Sequence, residues 1–468
     1  MLNSNSNSNL ILNSNLDKEY IIDILNEWNF WNSEPPASVF RPDYELQLQD
    51  KSKTNEILFL TGVRRSGKST ILMNYIKSLL KSGTDKKNIL YVNLEDPRFA
   101  NYLSTDLLEQ IKKTYSFYLK LKPGIKPYIF LDEIQNINGF EKWLNKEYEL
   151  KLSNIFITGS NSKLLSKEIG TVLSGRYLNT DVYPLSFKEY LLFKNINNCD
   201  EFYIKTHASE IERRFEDFLI YGGFPKLALF DEINEERNKK AELRAYFDSI
   251  LLRDIVSRYR LNNFNILKNM AIFLLSSSPA VISLSSLKTN FNLSYDLVNN
   301  YIEYLENSFM IFRIPLFNWS FKKQQANPKK IYAIDTGFIN TVSFQVGKRK
   351  GSLIENIVFL ELKRRIANSG SGSEIYFYRT KKNGYEIDFL IKENDRITHL
   401  IQVTEKIGEN NKEREFRAFV ETCGELEYTK DIKLLLISFD KTESINYQNF
   451  EIKIINIYEW LLLTDAIF

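Results

Sequence analysis

Residues 56–80 read EILFLTGVRRSGKSTILMNYIKSLL. At their centre Gly62-Val63-Arg64-Arg65-Ser66-Gly67-Lys68-Ser69, followed by Thr70, fits the pattern G-x-x-x-x-G-K-[ST]. The pattern is short, so its flanks decide what it means. Before it, Ile57, Leu58, Phe59 and Leu60 form an apolar run of buried-strand length. After it, Ile71, Leu72, Tyr75, Ile76, Leu79 and Leu80 recur at helical spacing. Strand, glycine loop and helix in that order predict a phosphate-binding loop at the first strand of an α/β, mostly parallel sheet.

The residue types supply the chemistry. Glycine lets the backbone approach a phosphate chain without a Cβ clash. Successive amide N–H groups and the helix N-terminus present positive potential to an anion. Within the cradle from Gly62 to Thr70, Lys68 is expected to reach the β- and γ-phosphates of ATP, and the Ser69 hydroxyl to ligate Mg2+. Ile89–Leu94 predicts a second strand, and Tyr128–Glu133 (YIFLDE) is an apolar strand ending in two acids. Behind a phosphate-binding loop, that ending predicts Asp132 in the Mg2+ shell and Glu133 as the base for the attacking water.

Asn154–Thr158 (NIFIT) predicts another strand. Ser160 and Asn161 beyond it are candidates to hold the water or the γ-phosphate, and a plain Gly-Ser-Asn turn explains the same residues. Arg176 in LSGRY is either an arginine finger, worth ~10³–10⁵ in rate, or a surface arginine in a loop. Val182–Leu185 is expected to be the fifth strand.

Composition narrows the function classes. A length of 468 residues corresponds to about three domains. The net charge of +3 creates no global field that selects nucleic acid or membrane, so any basic site is a local patch. Cys199 and Cys423, far apart, fit a reducing compartment rather than a disulfide framework. His207 and His399 are the only histidines, which argues against a His-rich metal site or a His-based triad. The Asn/Ser-rich lead, MLNSNSNSNLILNSNL, lacks a basic start and a sustained apolar core; disorder is expected there, not a signal peptide. No apolar run approaches the ~18 residues of a membrane span, so a cytoplasmic protein without membrane contact is expected.

Around this centre the chain divides further. Ile21, Leu25 and Trp28 fall on one helical face ahead of Pro35-Pro36. From Phe187 to Arg260 the pattern is helical, broken at Tyr221-Gly222-Gly223-Phe224-Pro225, and reads as a lid or connector. Within it LLRDIVSRY (Leu251–Tyr259) carries no chemistry derivable from the sequence.

Residues 264–340 predict a winged helix, with helices at Ile266–Leu275, Leu284–Phe291 and Ser294–Glu306 and wing strands at Phe312–Phe317 and Lys330–Ala333. Its third helix, the one that enters the major groove in DNA-binding versions, bears Asp296 and Glu303, which oppose phosphate. Lys322, Lys323, Lys329 and Lys330 are better partners for a DNA backbone, and a packing module explains the same pattern. A last α/β unit follows, with a helix at Gly351–Arg365 and strands at Glu374–Tyr378, Glu386–Ile391, His399–Val403 and Ile432–Ser438.

As a series, GVRRSGKST, YIFLDEIQ, TGSNSKLLS, SGRY, YPLSFKEYL and NPKKIYAIDTGF resemble the prokaryotic AAA+-type ATPases, frequent in archaea, that pair a P-loop module with a domain of uncharacterised function. The resemblance covers nearly the whole chain after residue 17. It implies ATP binding and hydrolysis, a winged-helix middle and a C-terminal module similar to PD-(D/E)xK nucleases.

The nuclease pattern asks for a helix glutamate, a strand aspartate and then Glu-x-Lys. Glu355 and Asp388 match the first two, but Gln402 and Thr404 stand at the last two. Hard Mg2+ favours carboxylate charge over the Gln402 carbonyl. Thr404 has no ammonium to stabilise charge on a reacting phosphate. Lys406 shares the strand face only if the strand runs that far. The module is therefore expected to be inactive and kept for binding or docking.

The boundaries implied are a lead at 1–16, a P-loop ATPase domain at 17–186, a helical lid at 187–262, a winged helix at 263–345 and a nuclease-like domain at 346–468. The expected function is Mg2+-dependent ATP hydrolysis coupled to DNA, to a protein partner or to another copy of the chain. The alternatives are a nucleotide-dependent switch with slow turnover and a DNA-processing ATPase with residual nuclease activity.

Overall fold

Strand β1 (Ile57–Thr61) is buried along its whole length, as a strand covered on both faces must be. The computed structural model in which it lies describes residues 16–122, 124–161, 172–230, 235–343, 350–426 and 431–464. The expected disordered lead, apart from Leu16, lies outside these residues. The chain divides into two compact units: Met1–Thr61 with Lys68–Thr180, and Gly62–Gly67 with Asp181–Phe468.

In the first unit, α1 (Lys18–Trp28) and α2 (Pro42–Lys51) precede β1. Then come α3 (Lys68–Lys81), β2 (Ile89–Asn93), α4 (Thr105–Leu119), β3 (Tyr128–Asp132), α5 (Phe140–Glu149), β4 (Asn154–Gly159) and β5 (Tyr177–Asp181). The sheet order is β2-β3-β4-β1-β5. β1 pairs parallel with β4, β4 with β3 and β3 with β2, placing Leu60 beside Thr158 and Asn93 beside Asp132. Parallel neighbours need helical crossovers, which the intervening helices provide. Because the strands are parallel, everything that leaves their C-terminal ends emerges on one edge.

Asn29, just past α1, extends this sheet with a side chain. Its Oδ1 accepts from the Tyr91 N–H at 2.7 Å and its Nδ2 donates to the Tyr91 carbonyl at 2.9 Å. A primary amide thus satisfies the backbone of β2, an edge strand that would otherwise expose a template for another chain. The fifth strand lies earlier than expected, at Tyr177–Asp181 instead of Val182–Leu185. The apolar quartet is drawn out of the sheet: Leu185 gives its N–H to the Gly223 carbonyl at 2.7 Å.

The second unit holds α6 (Phe187–Phe193), α7 (Ala208–Tyr221) and α8 (Glu236–Ser249), which runs on into a π-helical turn, Ile250–Val256. Then follow α9 (Phe264–Ser277), β6 (Ala280–Ile282), α10 (Leu284–Phe291), α11 (Tyr295–Asn307), β7 (Ile311–Pro315) and β8 (Lys329–Ala333). Their sheet has the antiparallel order β6-β8-β7. After α12 (Thr336–Val342) and α13 (Lys350–Ser369) come β9 (Glu374–Arg379), β10 (Glu386–Glu393), β11 (Arg396–Val403), α14 (Glu409–Leu426), β12 (Lys433–Ser438), β13 (Glu443–Tyr447) and β14 (Phe450–Asn456). The order β13-β14-β12-β11-β10-β9 is a mixed sheet, parallel only through β11, β12 and β14. α14 seats Phe416 and Phe419 against its core residues Leu390, Leu400 and Leu436.

Two motifs distant in sequence interlock in this unit. Asp335, at the N-cap of α12, accepts from the Gly337 N–H at 2.8 Å and from the Gly223 N–H at 2.7 Å. Gly222 has φ +77°, and a Cβ there would fall 1.7 Å from Asp335 Oδ1. Gly222→Ala is therefore expected to destabilise by ~2–4 kcal/mol, from left-handed backbone strain plus overpacking. A lowered urea midpoint at unchanged m-value checks it. Burial also pushes the Asp335 carboxyl up to about 7, against the lowering effect of the amides it accepts from.

Candidate functional site

The loop between β1 and α3 bends sharply. Arg65 takes φ 71° and Gly67 φ 98°, and the Ser66 N–H donates to the Val63 carbonyl at 3.2 Å. Alternating left- and right-handed backbone turns successive amides towards one point, which is the geometry of an anion nest. α3 begins at Lys68 as the loop ends.

In the first unit, the end of β3 carries the two acids. Asp132 is buried; its Oδ2 accepts from the Tyr91 hydroxyl at 2.6 Å, and its Oδ1 accepts from the Thr158 hydroxyl. The Ser69 hydroxyl lies close enough to lower the Asp132 pKa. Burial raises the Asp132 pKa first, the negative charge of Glu133 second, and the three hydroxyls oppose them. The same surroundings push the Tyr91 phenol up, through burial and the Asp132 charge.

Glu133 is held in a left-handed conformation, φ 59° and ψ 52°, uncommon for a residue with a Cβ. Its N–H donates to Thr158 Oγ1 at 2.8 Å. Its Oε1 lies 3.8 Å from Lys68 Nζ, and Oε2 accepts from Gln135 Nε2. Gln135 Nε2 also donates to Ser160 Oγ at 3.2 Å. Two adjacent buried carboxylates, with a hydroxyl and a lysine alongside, are chemically suited to a divalent cation and a polyphosphate. The donor set fits Mg2+ with a nucleoside triphosphate.

Asp132, Glu133, Lys68 and Ser69 are thus brought together, and Ser160 joins through Gln135. Asn161 is buried next in the chain. Thr158, Tyr91 and Gln135 were missed. The signal for Thr158 was a hydroxyl closing an otherwise apolar strand; the signal for Gln135 was its place two residues past Glu133.

Arg176 does not join them. Its carbonyl accepts from the Ile57 N–H, at the N-terminal end of β1, whereas Asp132 and Glu133 stand at the C-terminal end of the sheet. Its guanidinium pairs with Glu149 at 2.6 Å and with Asn145, and lies over the Tyr148 ring. It cannot act as an arginine finger on its own loop, because parallel strands put their two ends on opposite edges.

A second cluster lies in the C-terminal sheet. A polar cavity of about 780 Å³ is lined by Glu355, Asp388, Gln402 and Thr404, with Arg414 and Glu415. Lys330 Nζ enters this cluster, 2.7 Å from Glu355, 2.7 Å from Glu386 and 3.1 Å from Asp388. This corrects the expectation that Lys330 meets a DNA backbone: it is 3% exposed. Burial pulls its pKa down, but the surrounding carboxylates outweigh that and raise it well above its ordinary value. Lys329 is half-buried and burial lowers its pKa, while Lys322 and Lys323 are exposed.

Gln402 is locked in the same cluster, accepting from the Asp388 N–H at 3.0 Å and donating to the Glu386 carbonyl at 2.7 Å and to Glu415 at 3.1 Å. Thr404 gives its N–H to the Ile437 carbonyl. β11 ends at Val403, so Lys406 does not share its face. Among the described residues no group of three or more His, Cys, Asp or Glu is arranged to hold a metal ion, and no helix is long and apolar enough to cross a membrane.

Comparison with known proteins places these features. Residues 54–191 match an AAA domain, 212–349 a domain of unknown function (DUF8612) and 350–460 another (DUF4143). A solved structure, the Walker-type ATPase PABY2304 of Pyrococcus abyssi, aligns at 14% identity and a TM-score of 0.44, covering 65% of this chain and 96% of that one. An uncharacterised protein of Haemophilus influenzae is 31% identical over 91% of this chain and 99% of its own length. The uncharacterised protein MJ1544 of Methanocaldococcus jannaschii is 35% identical over 91% of this chain and 92% of its own length. The chain belongs to the same family as MJ1544, and carries within it an AAA-type P-loop NTPase-like domain followed by two domains of unknown function.

Proposed function

We propose that the chain is a Mg2+-dependent ATPase. The observation that carries this reading is the buried Asp132–Glu133 pair at the end of β3, with Glu133 Oε1 3.8 Å from Lys68 Nζ. Lys68 holds the β- and γ-phosphates and the loop amides fix their position. Ser69 and Asp132 would hold Mg2+, which would supply positive charge to offset that of the phosphates. Glu133 takes a proton from water as the water oxygen bonds to the γ-phosphorus, and the bond from that phosphorus to the ADP oxygen breaks. Gln135 and Thr158 fix the two carboxylates that do this work. ATP turnover by wild type, and none above background in Lys68→Ala, is the expected result. Absence of both turnover and uptake of ATP in magnesium-supplied wild type would end the reading.

Hydrolysis is proposed to be coupled to DNA through residues 263–345. Helix, strand, two helices and two strands in the order α9-β6-α10-α11-β7-β8 are the order of a winged helix. In its β7–β8 connection Trp319 and Phe321 are 56% and 72% exposed beside exposed Lys322 and Lys323. Neither lysine has an ion-pair partner among the described residues, so their charge is available to phosphate. Lys322→Glu with Lys323→Glu is expected to weaken DNA binding and flatten the log–log salt slope by about 2. An unchanged slope would assign this face to a protein partner instead. Residues 346–468 are proposed to serve docking and not cleavage, since Lys330 already neutralises the acids that a nuclease would present to metal.

A further inference from the structure

The third residue of the phosphate-binding loop is not turned to solvent. The Arg64 guanidinium is held by Asp254 in a fork, Nε to Oδ2 at 3.1 Å and Nη2 to Oδ1 at 3.2 Å. The two side chains are 10% and 3% exposed. Asp254 lies in the segment LLRDIVSRY, on the π-helical turn that continues α8. The next loop residue, Arg65, keeps its left-handed φ of 71° with its guanidinium 5.7 Å from the centre of the Tyr246 ring, on α8 itself. At the start of the loop a Cβ on Gly62 would fall 2.1 Å from the Val182 carbonyl oxygen.

These contacts have one physical consequence. A buried ion pair repays its desolvation only where geometry is good, and a planar fork on a carboxylate is the best geometry available. A loop that must aim several amides at one phosphate chain cannot be left to sample other bends. π-helical turns are rare, and frequently lie at functional sites. Here the turn aims Asp254 at the loop.

We infer that Asp254 is a positioning residue for the phosphate-binding loop: through Arg64 it holds the loop in its phosphate-receiving bend, and through the same bond nucleotide occupancy is transmitted to the turn Ile250–Val256. This rests on the reading of the loop as an ATP site. It gives the LLRDIVSRY segment a role, as the first element outside the loop to register whether nucleotide is bound.

The test uses the full chain, ATPγS and Mg2+, with affinity measured by calorimetry. Asp254→Asn keeps the shape and removes the charge; it is expected to weaken ATPγS at least 10-fold, and Asp254→Glu to recover most of the loss. Arg64→Leu with Asp254→Leu is expected to match Arg64→Leu alone, because the inference routes the effect of Asp254 on the loop through Arg64. Backbone hydrogen exchange over 250–256 is expected to slow on adding ATPγS to wild type and to stay unchanged in Asp254→Asn. These are results that a merely structural role for Asp254 would not produce together. Wild-type affinity in folded Asp254→Asn overturns the inference. Where that variant does not fold, wild-type affinity in the double variant overturns it. Failure of wild type itself to bind ATPγS is a different result, and sinks the ATP reading.

Discussion

Glu133→Gln is expected to bind ATP as tightly as wild type and to hydrolyse it about 10²–10⁴-fold more slowly. The amide keeps the volume and the hydrogen bond to Gln135 but cannot take a proton from water. It also removes a negative charge 3.8 Å from Lys68 and next to Asp132, so nucleotide affinity has no electrostatic reason to fall. Single-turnover hydrolysis set beside a binding isotherm separates the two effects. Equal loss of affinity and rate would mean that Glu133 holds the nucleotide, not the water. Unchanged hydrolysis would move the base elsewhere.

Lys330→Met is expected to have the largest effect on stability, a loss of about 3–5 kcal/mol, because it strands buried carboxylates that shared one ammonium. The pH dependence of the loss has a definite sign. With Lys330 in place, burial first and the Asp388 charge second already push Glu355 up to about 7 from its ordinary 4.5. An acid whose folded pKa is raised binds its proton more tightly in the native state. Its contribution therefore falls as pH rises from about 4.5 towards 7. Without the ammonium the raised range extends further upward. Lys330→Met should thus be closest to wild type in acid and furthest from it above pH 7, as read by urea midpoints across that range. A pH-independent difference would show that the acids are not ionised in the native protein. No cleavage of linear or branched DNA by wild type is expected with Mg2+ or Mn2+; cleavage lost in Asp388→Ala would overturn the docking reading of this module.

Both predictions depend on clusters, and the clusters differ in how they could be known. The loop from Gly62 to Ser69, the strand that feeds it and the acids that close Tyr128–Glu133 were legible in the sequence. Their relevant relations are local: a periodicity, a fixed offset, an apolar run ending in charge. Parallel pairing then follows from alternation of strands with helices, so the shared edge for Lys68, Asp132 and Glu133 was implied before any coordinate. Even at this edge, Thr158 and Tyr91 escaped notice, since a hydroxyl on a strand declares no partner until its neighbouring strand is fixed.

The remainder belonged to tertiary structure alone. Arg176 shares its sequence setting with a catalytic arginine, yet strand direction puts it at the opposite edge, against Glu149. Lys330 looks like a surface cation in NPKK, yet β8 carries it into acids 25–58 positions further along the chain. Arg64 and Asp254 are 190 positions apart. In each case burial decides, and burial is not a local property: the same ammonium or guanidinium is a free surface charge or half of a dry ion pair according to which distant segment folds over it. Periodicity and spacing determined that a phosphate-binding loop exists; only the packed chain decided which charges are spent on holding it and which remain for a partner.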